Sequence, residues 1–189
     1  MIIKRYNSVR PSFMFLLNEI PEGKIKAVEV GTAKGENAAK MFDYCDRLEL
    51  TGVDIEKTKE MDIVLDKYKE RIKFLHNSSV NAAKSFPDNY FDYVYIDGAH
   101  DEENVYKDVV AWYPKLRMGG IMAGHDWWFK GVQDGVAKFF NDTYWQYLFG
   151  LQSYFPKAHN IESHHAEFMD WWFIKHSEDY ILELKQEVK

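Results

Sequence analysis

Strand-like and helix-like apolar patterns alternate along most of this chain, and this order restricts the fold more than any other feature. Each of five strand patterns is followed by a helical pattern, which is short and polar after the third strand and an amphipathic stripe after the other four. Such units predict parallel strands joined by helices that cross the sheet with one hand. We therefore expect a doubly wound α/β fold, with helices on both faces of a mostly parallel, Rossmann-like sheet. The strand patterns cover residues 26–30, 48–53, 72–75, 91–96 and 121–124.

The two ends of the chain extend this pattern. Strand patterns over residues 144–149 and 168–174 predict a terminal antiparallel pair and a total of seven strands. At the other end, a stripe from Phe13 to Ile20 predicts an N-terminal helix within residues 1–24, which we expect to act as a lid. A length of 189 residues with 46% hydrophobic content suits a single domain over residues 1–189.

Two local patterns complete the expected secondary structure. After the fourth strand, a stripe predicts the buried face of a helix, and Met118-Gly119-Gly120 predicts a turn before the fifth strand. The Trp171-Trp172 pair should point to opposite faces of its strand. The helical stripe consists of Tyr106, Val109, Val110 and Tyr113.

Composition excludes several classes of partner. The 30 acidic and 24 basic residues leave a formal charge of -6, so phosphate-based binding of nucleic acid is not expected. No segment has the apolar length of a membrane span, and the first residues lack the pattern of a signal peptide. The single Cys45 cannot form an intramolecular disulfide. We therefore expect a cytoplasmic protein that binds neither nucleic acid nor membrane.

Polar residues lie at the ends of the predicted strands, and four of the five strand ends carry an acid. In a doubly wound sheet, ligands bind outside the carboxyl ends of the strands, near the point where the strand order reverses. Acids gathered at this edge favour a ligand with cationic or hydroxyl groups over a bare phosphate. The strand-end residues are Glu29, Asp54, Asn77, Ser78, Ser79, Asp97, His125 and Asp126.

The stretch VEVGTAKGEN, residues 28–37, places Glu29 two residues before Gly31 and six before Gly35. The glycines indicate a backbone that approaches something closely. A nicotinamide dinucleotide favours Gly-x-Gly-x-x-Gly, whereas Ala33 stands at the middle glycine and Glu29 would repel a pyrophosphate. Asp54, about twenty residues on, can accept both hydroxyls of a ribose. A ribose, an ammonium group and no phosphate together describe S-adenosylmethionine.

The sequence resembles the class I S-adenosylmethionine-dependent methyltransferases over nearly its whole length. The resemblance rests on VEVGTAKGENA, LTGVDIE, FDYVYIDGAHDEENVYKDVVAWYPKLRMGGIMAGHDWW and MDWWFIK. These segments are similar to the small-molecule branch that includes catechol and macrolide-sugar O-methyltransferases. The third and longest segment is the most specific.

This resemblance implies a role for each matching residue. Glu29 would neighbour the methionine amino group, Asn37 its carboxylate, and Asp54 the ribose. Ser79 would reach the adenine, and Asp97 would face the sulfonium. Gly31, Thr32 and Gly35 would admit the methionine portion.

The resemblance leaves a metal open. Metal-dependent relatives hold Mg²⁺ with an acid after the fourth strand and an acidic or amide pair after the fifth. Asp97 and Asp126 match two of these positions, but Trp127 occupies the third and cannot be a ligand. His125, Asn104 or His100 could complete the site, or no metal is held.

For proton removal, the candidate base is His125, because imidazole titrates near neutral pH, and Asp126 would orient it or anchor the acceptor. Two alternatives stay open: His125-Asp126 could cap the next helix, and His100 could serve instead. Trp127-Trp128-Phe129 is expected to cover the acceptor pocket. The cluster His159, Glu162, His164, His165 and Glu167 is read as a solvated loop rather than a zinc site.

The leading hypothesis is an O-methyltransferase acting on a small hydroxylated molecule, a sugar or a phenol, with catalytic residues His125, Asp126 and Asp97. A catalytically silent binding module and, less favoured, a nicotinamide-dependent oxidoreductase are the alternatives. The chain could form a homodimer, because aromatic residues are abundant near the terminal strands.

Overall fold

The computed structural model describes residues 9–142 and 170–175. Strands and helices alternate in it as the sequence predicts, and a short 3₁₀ turn over Tyr113–Lys115 leads into the fifth strand. The strands are β1 (Ile25–Val30), β2 (Leu48–Asp54), β3 (Ile72–His76), β4 (Phe91–Ile96), β5 (Leu116–Gly124) and β6 (Trp171–Ile174). The helices are α1 (Pro11–Glu19), α2 (Glu36–Tyr44), α3 (Lys59–Tyr68), α4 (Ser79–Ala83), α5 (Glu102–Trp112) and α6 (Lys130–Asp142).

The six described strands form one sheet in the order β3-β2-β1-β4-β5-β6. All neighbouring pairs are parallel except β5 and β6, which are antiparallel. The α/β class and the mostly parallel sheet with an antiparallel end pair are therefore confirmed. The chain runs outward from β1 to β3 and then returns to pair β4 with β1, so the strand order reverses between β1 and β4.

Two hydrophobic clusters cover opposite faces of this sheet. Helices α1, α2 and α3 contribute to the first cluster, and α4, α5 and α6 contribute to the second. Trp172 packs against the first cluster, whereas Trp171 is buried in the second, as strand alternation predicts. Because both faces are covered by helices, ligands have access mainly at the edge where the strands end.

The buried face of helix α5 differs from the one that the sequence predicts. The predicted stripe of Tyr106, Val109, Val110 and Tyr113 is displaced by one position from the buried face, and Val110 is exposed. The displacement arises because an acid lies within the buried stripe, so the spacing of the apolar residues alone does not show which face of the helix is buried. The buried residues of α5 are Val105, Asp108, Val109 and Trp112.

The start of strand β5 also differs from the sequence prediction. Met118-Gly119-Gly120 does not form a turn before the strand but lies inside β5. The pairing with β4 is irregular there, because Phe91 pairs with Leu116 while Tyr93 pairs with Ile121. The extra β5 residues form a bulge, a frequent use of glycine within a strand.

Some predictions fall outside the described residues. These are the strand over residues 144–149 and the histidine cluster of residues 159–167. Within residues 9–142 and 170–175, none of the helices has the length and apolar character needed to cross a membrane.

Candidate functional site

A cleft of about 610 Å³ lies at the carboxyl ends of the strands, beside the reversal between β1 and β4. This volume lies in the range of small-molecule sites. Asp54, Asp97 and Ser79 line the cleft, so the structure brings together three residues that are distant in sequence. The remaining lining residues are Val30, Gly31, Ala33, Val53, Ile55, Asn77, Ser78, Val80, Gly98, Ala99, Asn104 and Asp108.

Gly31 begins the turn after β1 and has a φ angle of +84°. A Cβ atom there would lie 2.1 Å from the backbone oxygen of Asp97, a distance that no side chain tolerates. The close approach expected from the glycine pattern is therefore made to the backbone that follows β4. Gly31 N–H also donates to Val53 O at 2.8 Å, which extends the ladder between β1 and β2.

The turn between β1 and α2 places an amide against Asp54. Ala33 N–H donates to Asp54 Oδ2 at 2.8 Å, and Glu56 N–H donates to Oδ1 at 3.1 Å. Gly35 caps α2 with a φ angle of +76°, and a Cβ there would lie 2.7 Å from Met61 Sδ. Thr32 is buried, and its backbone oxygen accepts from Gly35 N–H at 2.7 Å. Backbone conformation and packing against α3 thus explain Gly35 without a ligand.

Glu29 is a carboxylic acid in the interior of the protein, with 1% of its surface exposed. It lies on the same face of β1 as Ala27, where an apolar side chain would be the default. Asn37 Nδ2 donates to Glu29 Oε1 at 2.8 Å, but Oε2 has no hydrogen-bond partner among the described residues. Burial raises the pKa of Glu29 to about 8, against the opposing hydrogen bond from Asn37. Within the part of the chain that the structure describes, Oε2 is therefore a buried polar atom without a partner, a rare feature that needs a structural or functional explanation.

Ser79 is held by residues that the sequence analysis did not select. Trp112 Nε1 donates to Ser79 Oγ at 2.9 Å, and Asp108 lines the same cleft as Ser79. Burial raises the pKa of Asp108 to about 6, and the Ser79 hydroxyl opposes this rise. Asp108 therefore adds an acid to the cleft wall. An acid at the i+3 position of an apolar helix stripe was the signal available in the sequence.

Arg10, at the start of α1, reaches into the same region. Its Nε donates to Asn37 Oδ1 at 3.3 Å, its Nη1 lies 3.5 Å from Asp170 Oδ1, and its Nη2 lies 3.9 Å from Asp97 Oδ2. Tyr95 OH donates to Asp170 Oδ1 at 3.0 Å. Asp170, which the sequence analysis also missed, joins β6 to this network. One guanidinium therefore links the N-terminal helix, the Glu29 partner Asn37 and the acid after β4.

Asp97, directly after β4, faces both the cleft and a histidine. His125 Nδ1 lies 3.6 Å from Asp97 Oδ1 and 3.1 Å from Asp126 Oδ1. Burial raises the pKa of Asp97, whereas the nearby His125 and Arg10 oppose this rise. His125 Nε2 is buried and has no partner within the described residues. A proton on His125 would therefore lie between two carboxylates.

Asp126 joins a second histidine to this group. His100 Nε2 lies 2.7 Å from Asp126 Oδ2, and Trp128 Nε1 donates to Asp126 Oδ1 at 2.8 Å. The His100 ring stacks on Phe129, with centroids 4.9 Å apart and planes 7° apart. Asp126 has a φ angle of +58°, in the left-handed region, whereas the residue that caps a helix N-terminus is usually extended. The structure places His100, a secondary candidate in the sequence, in direct contact with the main ones.

Comparison with known proteins gives a family match. A family model described as a methyltransferase domain matches residues 28–127, just over half of the 189 residues. This range contains every candidate site residue from Glu29 to Asp126. None of the curated proteins compared with the sequence matches it.

Solved structures with the same fold come from several proteins of low identity. A Corynebacterium glutamicum protein is 14% identical, with a TM-score of 0.56, over 70% of this chain and 69% of its own. A Burkholderia thailandensis 1,6-didemethyltoxoflavin-N1-methyltransferase, with S-adenosylhomocysteine bound, is 13% identical, with a TM-score of 0.50, over 96% of this chain and 66% of its own. The [4+2]-cyclase SpnF is 17% identical, with a TM-score of 0.50, over 67% of this chain and 53% of its own. At these identities the likeness shows a common fold.

Proposed function

The chain belongs to the methyltransferase-domain family, and we propose that it transfers a methyl group from S-adenosylmethionine to a hydroxyl of a small molecule, a sugar or a phenol. The observation that carries this proposal is the cleft between β1, β2 and β4, with acids at separate points along it. Fold alone does not define a reaction, since the same fold also occurs in a cyclase. The chemistry of the site must therefore identify the substrate class.

The residues around the cleft fit S-adenosylmethionine. The unpaired Oε2 of Glu29 is an acceptor that suits the amino group of the methionine portion, and Asn37 and Arg10 offer donors beside it. Asp54 is held by two backbone amides, which leave its remaining lone pairs for ribose hydroxyls. The acids along this edge would repel a pyrophosphate, which argues against a nicotinamide dinucleotide.

When bound, S-adenosylmethionine supplies a methyl group on a positively charged sulfur, and this sulfur is the leaving group when an acceptor oxygen attacks the methyl carbon in line. The chain must orient the acceptor and remove its proton. His125 is suited to proton removal because its Nδ1 lies beside Asp126 and Asp97, which stabilise an imidazolium. Asp126 then orients the imidazole and helps to anchor the acceptor.

A divalent ion would assist the same step. Asp97 and Asp126 would hold it, and the ion would lower the pKa of an acceptor hydroxyl. Their carboxylate oxygens come close enough together for one ion, with His100 as the adjacent third donor. The site therefore fits a divalent cation, although its donors are not all oxygens as Mg²⁺ prefers.

The acceptor pocket is proposed beside the exposed aromatic side chains of Trp128 and Phe129. Flat rings near His125 and Asp126 suit the face of a phenol or a sugar. A homodimer and a lid formed by residues 1–24 are further proposals from the sequence. Arg10 supports the lid, because it connects the described start of the chain to Asn37 and Asp97.

The first test is calorimetric titration with S-adenosylhomocysteine, with NADH as the alternative ligand. We expect saturable heat with the former and none with the latter. Transfer of label from methyl-labelled donor to a panel of phenols and sugars would then measure activity. His125→Ala should reduce turnover by about 100-fold or more, while Asp134→Asn, paired with Lys130 on the surface of α6, serves as the matched control.

The outcomes separate the alternatives. Absence of binding by S-adenosylhomocysteine would contradict the proposal, and binding of NADH would favour an oxidoreductase. Binding of the cofactor product without label transfer to any acceptor, with or without divalent ions, would favour a binding module.

A further inference from the structure

We propose that a basic groove at the amino ends of β1, β2 and β3 binds a small molecule that carries a phosphate or diphosphate group. The groove has a volume of about 240 Å³ and lies at the opposite edge of the sheet from the cleft. Binding there does not depend on the proposed methyl transfer. The residues that define the basic groove are Lys26, Thr51, Lys69, Arg71, Lys73 and Tyr90.

The groove exists because the nearest helix on this face of the sheet is short. Lys26 of β1 is aligned with Glu49 of β2, and two residues further along β2, Thr51 is aligned with Lys73 of β3. Strand alternation places these side chains on the face of the second hydrophobic cluster, to which Val53 belongs. Helix α4 follows β3 on that face and has five residues, or about 8 Å. The five residues of β3 extend about 16 Å, so α4 covers only one end of the strands.

The groove carries positive charge in a chain whose formal charge is -6. Four cationic side chains line it, against two acids. Of these acids, Glu49 is already paired with Lys24, which lies outside the groove. Within residues 9–142 and 170–175, Lys26, Lys69 and Lys73 form no ion pair. The protein therefore leaves a local positive charge that attracts an anion.

Two of the cationic side chains are held in place by their neighbours. Lys26 Nζ lies 4.4 Å from the centre of the Tyr90 ring, a cation–π contact that restricts the ammonium group. Arg71 Nη1 donates to Cys45 O at 3.2 Å, and the guanidinium lies over the Phe42 ring. Ammonium and guanidinium groups are the side chains that proteins use to bind phosphate. Because both are positioned in advance, less conformational freedom is lost when an anion binds.

The floor of the groove contains a polar group without a partner. Thr51 is 8% exposed, and its side chain forms no hydrogen bond with any residue that the structure describes. The Thr51 hydroxyl lines the groove beside the aligned Lys73 and can donate a hydrogen bond. A hydroxyl donor next to ammonium groups suits an anion that presents several oxygens on one centre. Phosphate has this form, whereas a halide ion does not.

The size of the groove restricts the ligand further. Its volume is below the roughly 300–1,000 Å³ of sites for drug-sized molecules. A compact phosphorylated molecule therefore fits better than a long one. A nucleic acid would also meet the negative charge of the rest of the chain.

The test is calorimetric titration of the full chain, freed of divalent ions, with inorganic pyrophosphate. We expect one pyrophosphate per chain. Lys26→Gln and Lys73→Gln should each weaken binding by about 10-fold, because each removes a charged hydrogen-bond donor. Lys73 is exposed, so its replacement should not disturb folding. Thr51→Val has nearly the same shape and should weaken binding by about fivefold through loss of the hydroxyl.

Lys40→Gln is the matched control, because Lys40 is an exposed lysine of α2, on the opposite face of the sheet. It removes the same charge and should leave the affinity for pyrophosphate unchanged. Citrate should bind about 10-fold more weakly than pyrophosphate, because its charge is spread over three separate carboxylates. The inference would be overturned by equal affinity for citrate, by an equal loss in Lys40→Gln, or by no saturable binding of pyrophosphate at millimolar concentration.

Discussion

Two acids at the ends of neighbouring strands, Glu29 and Asp54, have opposite surroundings. We call Glu29, Asn37 and Arg10 the Glu29 pocket. The Glu29 carboxyl group is buried, and one of its oxygens lacks a hydrogen-bond partner among the described residues. In the Asp54 rim (Asp54 with the amides of Ala33 and Glu56), the carboxylate is partly exposed and both oxygens accept hydrogen bonds.

This difference predicts that acids with similar places in the sequence bind different chemical groups. The Asp54 rim is held in one orientation before any ligand arrives, so it suits neutral hydroxyl groups. In the Glu29 pocket, the raised pKa of Glu29 shows that the surroundings do not fully stabilise the ionised carboxylate. A cationic group would supply the missing stabilisation. The comparison therefore predicts that the two regions recognise different parts of one ligand.

The largest effect is expected at Gly31, which lies between the two regions. Gly31→Ala should lower the free energy of unfolding by about 4 kcal/mol, because a Cβ would collide with the Asp97 backbone and the φ angle is unfavourable. Gly23→Ala is the matched control, since its φ angle is +81° but nothing lies near its Cβ position. It should cost about 1 kcal/mol. Urea unfolding measures both, and similar losses would contradict the close approach.

Removal of the Glu29 charge should distinguish the contribution of the Glu29 pocket to ligand binding from that of the Asp54 rim. Glu29→Gln keeps the shape of the side chain and should weaken binding of S-adenosylhomocysteine by about 100-fold. Adenosine, which lacks the amino-acid portion, should bind this variant as it binds the original protein. Calorimetry with both ligands measures the difference. An equal loss for both ligands would show that Glu29 does not face the amino group.

At Asp54, a smaller and less selective loss is expected. Asp54→Asn should weaken both S-adenosylhomocysteine and adenosine by about 10-fold, because both ligands contain the ribose. Asp62→Asn, an exposed acid paired with Lys57 on the surface, is the control and should change neither affinity. If the loss were confined to S-adenosylhomocysteine, the ribose assignment would be wrong.

The smallest expected effect is a pH dependence of binding. The free protein keeps a proton on Glu29 up to a pKa of about 8, whereas a contact with an ammonium group requires the carboxylate. Binding must therefore release this proton, and affinity should rise by about fivefold from about pH 7 to about pH 8. Calorimetry in buffers with different ionisation enthalpies would detect the proton. A flat profile, or the same profile in Glu29→Gln, would contradict this mechanism.

The sequence predicted the elements of the fold because their patterns are local. The alternation of side chains along a strand predicted opposite faces for Trp171 and Trp172, and the two residues pack in different hydrophobic clusters of the structure. The same reasoning failed in α5, where the buried Asp108 interrupts the apolar stripe and displaced the predicted face by one residue. Periodicity assumes that buried residues are apolar, so a polar group that is buried for another reason misleads it.

The candidate site could be predicted only in part. The strand ends identified Glu29, Asp54, Asp97 and Asp126, because carboxyl ends of parallel strands share one edge of a sheet. The contacts of Arg10 and Asp170 could not be predicted, since they join the first helix to the last described strand. Their separation in sequence leaves no local signal.

The sequence by itself determined the α/β class and the edge of the sheet where the acids gather, because both follow from short repeating patterns. Only the tertiary structure decided which oxygen of Glu29 lacks a partner among the described residues, what Gly31 approaches, and that His100 meets Asp126. These features depend on distances of a few ångströms between segments far apart in the chain. Packing sets such distances, and no pattern within one segment specifies them.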